Sequence, residues 1–209
     1  MVNDGTDPPP TRWEKTVTGD RWDFYVKRFA REFADGTDLE GEARFADVIA
    51  PRRARILDAG CGTGRIAGAL HRMGHQVVGA DRDAGLVAIA ADRYSGPVFV
   101  AADLLSLSPP LLRDAGGPEV FDVIVLAGNV LVYVAPGTER RVLETLSGLL
   151  VAGGRIVAGF ATDRNYQVDE FDRDVAAAGL TMEQRFATWH LDPWVEGADW
   201  AVTILRRPE

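Results

Sequence analysis

One stretch constrains this chain more than any other: ILDAGCGTGR, Ile56 to Arg65. An apolar run ends on Asp58, glycines follow at positions 60, 62 and 64, and a helix-forming segment begins at Arg65. Glycine tolerates positive φ and puts no side chain between backbone and ligand. A strand, loop and helix built this way let a small molecule lie against the main chain at the carboxyl end of a sheet. The spacing is G-x-G-x-G. The dinucleotide form, G-x-G-x-x-G, requires a glycine where this chain has Arg65.

Apolar runs of strand length recur at Arg55–Ala59, Gln76–Ala80, Val98–Ala101, Phe121–Ala127 and Arg155–Phe160. Helical spacing fills Arg65–Met73, Ala84–Tyr94 and Thr138–Leu150 between them. Such alternation predicts an α/β fold: a mostly parallel sheet with helices on both faces. The segment from Leu104 to Glu119 is the weak crossover, because Pro109, Pro110, Gly116 and Gly117 interrupt it. After a helix at Asp169–Ala178, strands at Thr181–Thr188 and Trp200–Arg206 follow with no helix between them. They complete a seven-stranded sheet with an antiparallel C-terminal edge strand. Before the alternation, helices at Asp20–Phe33 and Leu39–Ala50 read as an N-terminal helical cap. The expected organisation is a flexible tail over residues 1–19 and one domain over 20–209, with the cap at 20–52 and the core at 53–209.

Charge and cysteine usage narrow the function classes. The formal net charge is −8, and Arg52, Arg53 and Arg55 form the only dense basic cluster, so bulk nucleic-acid binding is disfavoured. The single cysteine, Cys61, rules out an intramolecular disulfide. The first residues lack the charged start and apolar run of a signal peptide, and no apolar stretch reaches the ~20 residues of a membrane span. A cytoplasmic protein with no membrane partner is expected, as a monomer or a homodimer.

Two further acids stand at strand ends. Asp81 lies about 20 residues beyond the glycine loop, where a carboxylate accepts from ribose hydroxyls. Asp103, in AADL, is placed for the exocyclic amine of an adenine, with the Leu104 amide beside it. Arg82 adjoins this cluster. Together LDAGCGTGR, GADRD, AADL, FDVIVLAGNV and LVAGGRIVAGF resemble class I S-adenosylmethionine-dependent methyltransferases, over about Arg55 to Arg206. The resemblance implies a Rossmann-like sheet and S-adenosylmethionine as cofactor, released as S-adenosylhomocysteine. It implies Gly60, Cys61 and Gly62 along the methionine part, Asp81 on the ribose, Asp103 on the adenine, and Ala127, Gly128 and Asn129 beside the sulfonium; Asp58, Arg82 and Leu104 are expected among the cofactor-binding residues.

The acceptor side is less defined. Asn129 either orients an acceptor or merely forms a turn. His190 is the candidate general base, because histidine titrates near neutrality, or else a solvated loop residue. Tyr25 and Arg28 on the cap helix either close over the cofactor or help bury a helix face. Trp189 and Trp194 either stack on an acceptor or staple the edge hairpin. Cys61 reads as packing within the cofactor loop, and no His/Cys/Asp cluster suggests a metal. LAGNV departs from the N/D-P-P-Y/F signature of enzymes that methylate nucleic-acid amines or protein glutamine, which favours a small-molecule acceptor. The alternatives are a non-catalytic module that binds S-adenosylmethionine or its product, and an NAD-dependent oxidoreductase, which Arg65 opposes.

Overall fold

The computed structural model describes residues 7–209. Seven strands form one sheet: β1 (Arg55–Ala59), β2 (Gln76–Asp81), β3 (Val98–Ala101), β4 (Phe121–Leu126), β5 (Leu150–Ala161), β6 (Thr181–Phe186) and β7 (Trp200–Arg206). Their spatial order is β3-β2-β1-β4-β5-β7-β6. β1 to β5 pair in parallel, and β7 runs antiparallel to both β5 and β6. The helix-less pair therefore closes one edge of the sheet, with β6 outermost. The chain winds outward from β1 to β3, then returns to the other side of β1 as β4. That reversal opens a crevice at the carboxyl ends of β1 and β4, the place where open α/β sheets bind ligands.

Strand alternation sorts the core into two layers. Ile56 of β1 and Val123 and Val125 of β4 face α3 (Gly41–Ile49) and α4 (Arg65–Arg72), packing on Ala43, Ala46, Ile66 and Leu70. Leu57, Ile124 and Leu126 face the opposite way, into a larger layer with Leu143 and Leu146 of α8 (Glu139–Gly148) and Phe171 of α9 (Val168–Ala177). α5 (Ala84–Arg93) packs beside β2 and β3. In the weak crossover the prolines start a helix instead of breaking one. Pro109 and Pro110 open α6 (Pro109–Asp114), where a missing N–H and a preset φ cost little. Leu112 then anchors that helix in the core. A short helix, α7 (Val130–Tyr133), follows β4.

The N-terminal segment requires a correction. Residues 1–6 of the expected tail lie outside the described residues, but residues 7–19 carry structure. Thr11 and Glu14 form a reciprocal capping box on α1 (Arg12–Thr16), each satisfying an orphan donor of the first turn. Arg12 donates to Glu139 at 2.7 Å and to the Val134 carbonyl at 3.2 Å, which fastens α1 to the core. α2 (Asp20–Ala34) then crosses the crevice without burying any residue fully. Trp13 holds it edge-on, with ring centroids 4.9 Å from Tyr25 and 5.6 Å from Tyr133.

Among the described residues, no helix is long and apolar enough to cross a membrane, and no three His, Cys, Asp or Glu side chains are grouped to hold a metal ion.

Candidate active site

The glycine loop is clamped onto the end of β2. Gly60 and Cys61 both donate their N–H to the Ala80 carbonyl, at 2.7 and 3.0 Å. Gly62 N–H donates to Asp81 Oδ2 at 2.9 Å, and Asp83 N–H to Asp81 Oδ1 at 2.9 Å. Asp81 thus fixes the loop while each of its oxygens keeps a second lone pair. Gly60, Gly62 and Gly64 have φ of 81°, 52° and 80°, the left-handed region that L side chains avoid. A Cβ at Gly60 would lie 2.5 Å from Val130 Cγ2, and one at Gly62 would lie 2.9 Å from Tyr25 Oη. The loop is a cradle between α7 and α2 that any side chain would fill.

Above it lies a cavity of about 430 Å³, within the range of small-molecule sites. Its floor comes from strand ends and loops: Gly60, Gly62, Asp81, Asp103, Leu104, Gly128 and Asn129. Its roof comes from the N-terminal segment, including Thr11, Trp13, Arg21, Phe24, Tyr25 and Arg28. Gly128, with φ of 70°, would place a Cβ more than 4 Å from any atom, so its backbone borders open space. Burial pushes the Asp81 carboxyl above its ordinary range, with the backbone bonds from Asp83 and Gly62 opposing that shift. Burial likewise pushes up the Tyr25 phenol, whose charged form would also face Asp81.

The roof is latched to the floor through Arg82. That guanidinium donates to Asp103 at 2.8 Å, Glu14 at 2.9 Å, and the carbonyls of Pro9 and Pro8 at 2.9 and 3.2 Å. Burial favours the neutral form of Glu14, yet its bonds with Thr11 and Arg82 hold the carboxyl below its usual range. Trp13 and Trp22 both donate their indole N–H to Asp83 Oδ2, at 3.1 and 2.8 Å. Replacing Arg82 with alanine is expected to loosen this strap. Tryptic cleavage between Arg12 and Arg21 should accelerate about tenfold, with little change in global unfolding. Unchanged cleavage would assign the hold to the two tryptophans.

Comparison with known proteins agrees with this geometry. The model of a methyltransferase domain matches residues 56–154. No curated protein matches the chain. A solved structure of a TehB-like SAM-dependent methyltransferase from Corynebacterium glutamicum is 35% identical, with a TM-score of 0.80 over 88% of this chain and 97% of that one. The chain belongs to the S-adenosylmethionine-dependent methyltransferases.

Two further solved methyltransferases share the fold. The N-methyltransferase NodS from Bradyrhizobium japonicum, in complex with S-adenosyl-L-homocysteine, is 22% identical, with a TM-score of 0.64 over 94% of this chain and 96% of that one. The 1,6-didemethyltoxoflavin-N1-methyltransferase from Burkholderia thailandensis, with its namesake compound and S-adenosylhomocysteine bound, is 21% identical. Its TM-score is 0.59 over 100% of this chain and 99% of that one.

Within this methyltransferase, several residues singled out from sequence lie away from the cavity. Asp58 is buried beneath the loop and accepts from the Ala67 N–H of α4 at 3.0 Å. It supports the loop from behind and does not line the cavity. Cys61 is also buried, and its Cβ lies 3.1 Å from where a Cβ on Gly79 would stand. Its thiol turns to the Gly62 carbonyl at 3.8 Å, inside the loop. Ala127 is buried in the layer under α4, and only its neighbours Gly128 and Asn129 reach the cavity. Asn129 adopts φ of 70°, and its Oδ1 accepts from the Ala161 N–H at 2.7 Å. Its side chain ties α7 to β5, which favours the turn-forming reading.

His190 is exposed and lines a separate cavity with Asp38, Glu42, Trp189 and Trp200. The loop that carries it folds back on β6, with Ala187 N–H donating to the Asp192 carbonyl at 2.9 Å and a bridge between Phe186 and Pro193, which places the expected general base outside the cavity over the glycine loop. Trp189 packs edge-on against Phe45 at 5.5 Å and fills the space over Gly159; it staples the edge. Arg65 donates to Glu42 and to the Leu39 carbonyl, so the residue that breaks the dinucleotide spacing couples α3 to the helix after the glycine loop.

Sequence reasoning missed Thr11, Trp13 and Glu14. The T-x-x-E capping box was the available signal. It also missed Arg21 and Phe24 as lining residues, for which the sequence carried no signal beyond the helical spacing of α2, whereas Arg164 lies in TDRNY, Thr162 to Tyr166, a segment the sequence marks as able to shape an acceptor pocket.

The state of Asp58 gives a pH prediction. Burial pushes its carboxyl up to about 7, against the opposing pull of Arg65 and the Ala67 N–H. A folded-state value above the unfolded one near 4 means stability is fully present below about pH 4 and is lost as pH rises through 7. Asp58→Asn keeps an acceptor for Ala67. It should therefore gain stability over wild type between pH 5 and 8, on the order of 1–3 kcal/mol. Urea unfolding at the two pH values checks this; an equal difference at both would discount the buried charge.

Proposed function

We propose that this chain transfers the methyl group of S-adenosylmethionine to a small-molecule acceptor bound in the same cavity. The observation that carries the reading is the shared enclosure: the glycine cradle, the acids at the ends of β2 and β3, and the N-terminal strap all border one space of about 430 Å³. The strap passes over that space, so an acceptor beneath it must be small. The cofactor supplies an electrophilic methyl group on a positively charged sulfur. Gly60 and Gly62 would hold its methionine part along the backbone. Asp81 would accept from its ribose, using the lone pairs left free by Gly62 and Asp83. Asp103 and Leu104 would border its adenine. Tyr25 and Arg28 would close over it from α2, with Arg28 near its carboxylate.

The protein's part is alignment and exclusion of water, which supply much of the barrier reduction in a transfer of this kind. Among the described residues no histidine lines the cavity. Apart from arginines, its ionisable groups are the carboxyls of Asp81 and Asp103 and the phenols of Tyr25 and Tyr133, and an acceptor that presents a free lone pair at working pH would need none of them as a base. A cytoplasmic setting is part of the same proposal, since the one cysteine has no partner within the chain.

Calorimetric titration with S-adenosylmethionine, S-adenosylhomocysteine and NAD tests the reading. Micromolar binding of the two sulfur compounds without NAD supports it. Binding of NAD alone, or of none of the three, sinks it.

A further inference from the structure

The cavity wall carries a charge opposite to that of the chain. The protein has a formal net charge of −8, yet among the described residues Arg21, Arg28, Arg82 and Arg164 line the cavity against only Asp81 and Asp103 as carboxylates. Both carboxylates already accept hydrogen bonds, and the lone pairs that Asp81 keeps are the ones assigned to the ribose. Asp81 accepts from Gly62 and Asp83, while Asp103 accepts from Leu105 N–H at 2.8 Å and from Arg82 at 2.8 Å. Arg82 is itself spent on Asp103 and Glu14.

The other three arginines have only loose partners. Arg21 donates to the Thr16 carbonyl at 3.2 Å. Arg28 lies 3.6 Å from Glu32 and Arg164 lies 3.2 Å from Asp163, with each of these arginines half exposed or more. Exposed pairs of this kind contribute little, and each guanidinium keeps several of its five donors free.

Their setting is apolar. Arg21, Phe24, Tyr25 and Arg28 sit at i, i+3, i+4 and i+7 of α2, so one helix face offers two guanidinium groups flanking two rings. Phe24 lines the cavity while 64% exposed, an uncovered ring beside an opening. Tyr133 and Val134 face it from the core side. With Arg28 assigned to the cofactor's carboxylate, Arg21 and Arg164 remain as cations toward the acceptor, Arg164 with only an exposed neighbour, Asp163, beside it.

We propose that the methyl acceptor is an organic anion with a flat apolar body, of the aromatic carboxylate class. Arg21 and Arg164 hold its charge, and Phe24 and Tyr133 hold its body. This rests on the methyltransferase reading and names the substrate class of that same site. A guanidinium pairs with a carboxylate through charge-assisted, often bidentate hydrogen bonds. A cationic acceptor would meet the Arg21 and Arg164 guanidiniums, while Asp81 faces the ribose and Asp103 is paired with Arg82.

The test uses the full chain saturated with S-adenosylhomocysteine, titrated with benzoate, salicylate and phenylacetate, their amides, and benzylamine. At least one carboxylate should bind about tenfold tighter than its amide, and benzylamine should not bind. Arg21→Gln and Arg164→Gln should each weaken that carboxylate about tenfold and leave S-adenosylhomocysteine affinity within about twofold. Arg21→Lys should restore part of the loss. Amides binding as well as carboxylates, no carboxylate binding at all, or both glutamine variants behaving as wild type would overturn the inference and leave the methyltransferase reading intact. Failure of S-adenosylhomocysteine itself to bind would overturn both, and that result is read separately.

Discussion

Replacing Gly60 with alanine is expected to abolish cofactor binding while leaving the sheet folded. The added Cβ would stand 2.5 Å from Val130 Cγ2 and 2.8 Å from its Cγ1, on a residue whose φ is +81°. Left-handed backbone costs an L-residue about 1–2 kcal/mol, and overpacking adds roughly 1–3 kcal/mol. The sum, about 2–5 kcal/mol, is below the 5–15 kcal/mol of a typical domain. Thermal unfolding should drop by roughly 5–15 °C and remain cooperative. The loop cannot absorb the strain in place, because Gly60 and Cys61 both donate to the Ala80 carbonyl. It must move off β2, and the backbone surface that would face the methionine part moves with it. Titration with S-adenosylhomocysteine should then show no saturable binding up to about a hundredfold the wild-type Kd. Adding Val130→Ala removes the clash but not the φ penalty, so partial recovery of affinity is expected. Wild-type affinity in Gly60→Ala alone would mean that the cradle is not the cofactor site.

Asp81→Ala is the second large effect. It removes the acceptor for Gly62 N–H and Asp83 N–H and, on the proposed reading, the partner of the ribose. Buried donors left without partners cost about 1–3 kcal/mol each, and loss of a charged acceptor toward the ligand adds a similar amount. Affinity for S-adenosylhomocysteine should fall at least about a hundredfold. Asp81→Asn separates the two roles. Its single carbonyl oxygen can serve one N–H while its amide confronts the other, so stability should fall nearly as far as in the alanine variant. If both variants bind the ligand normally while unfolding earlier, Asp81 acts only as a clamp on the loop.

The sheet was legible in the sequence because its determinants are local. Continuous apolar runs in β1 and β4, helical spacing in α4 and α8, and glycines at the end of a strand each depend on a few neighbouring residues. The parallel order and the edge pair follow from whether a helix lies between successive strands. The same locality explains the floor of the site: Gly60, Gly62, Asp81 and Asp103 stand at strand ends, and strand ends on one side of a parallel sheet meet.

What the sequence could not display is what packs across it. Pro8 and Pro9 read as tail because proline-rich polar segments usually bury nothing. Here Arg82 takes both of their carbonyls, a contact spanning more than seventy residues. His190 read as a base from its chemistry alone, and the turn that follows β6 carries it to another cavity. Asp58 is an acid in the key motif, but the direction of its side chain, onto Ala67, follows from how α4 docks. Arg21 and Arg164 are distant in sequence and become neighbours of one space only when α2 lies across the crevice. Backbone class and cofactor family were therefore set by local pattern, whereas the roof, the latch and the arginines along the cavity wall were set by long-range packing, which no spacing within the chain encodes.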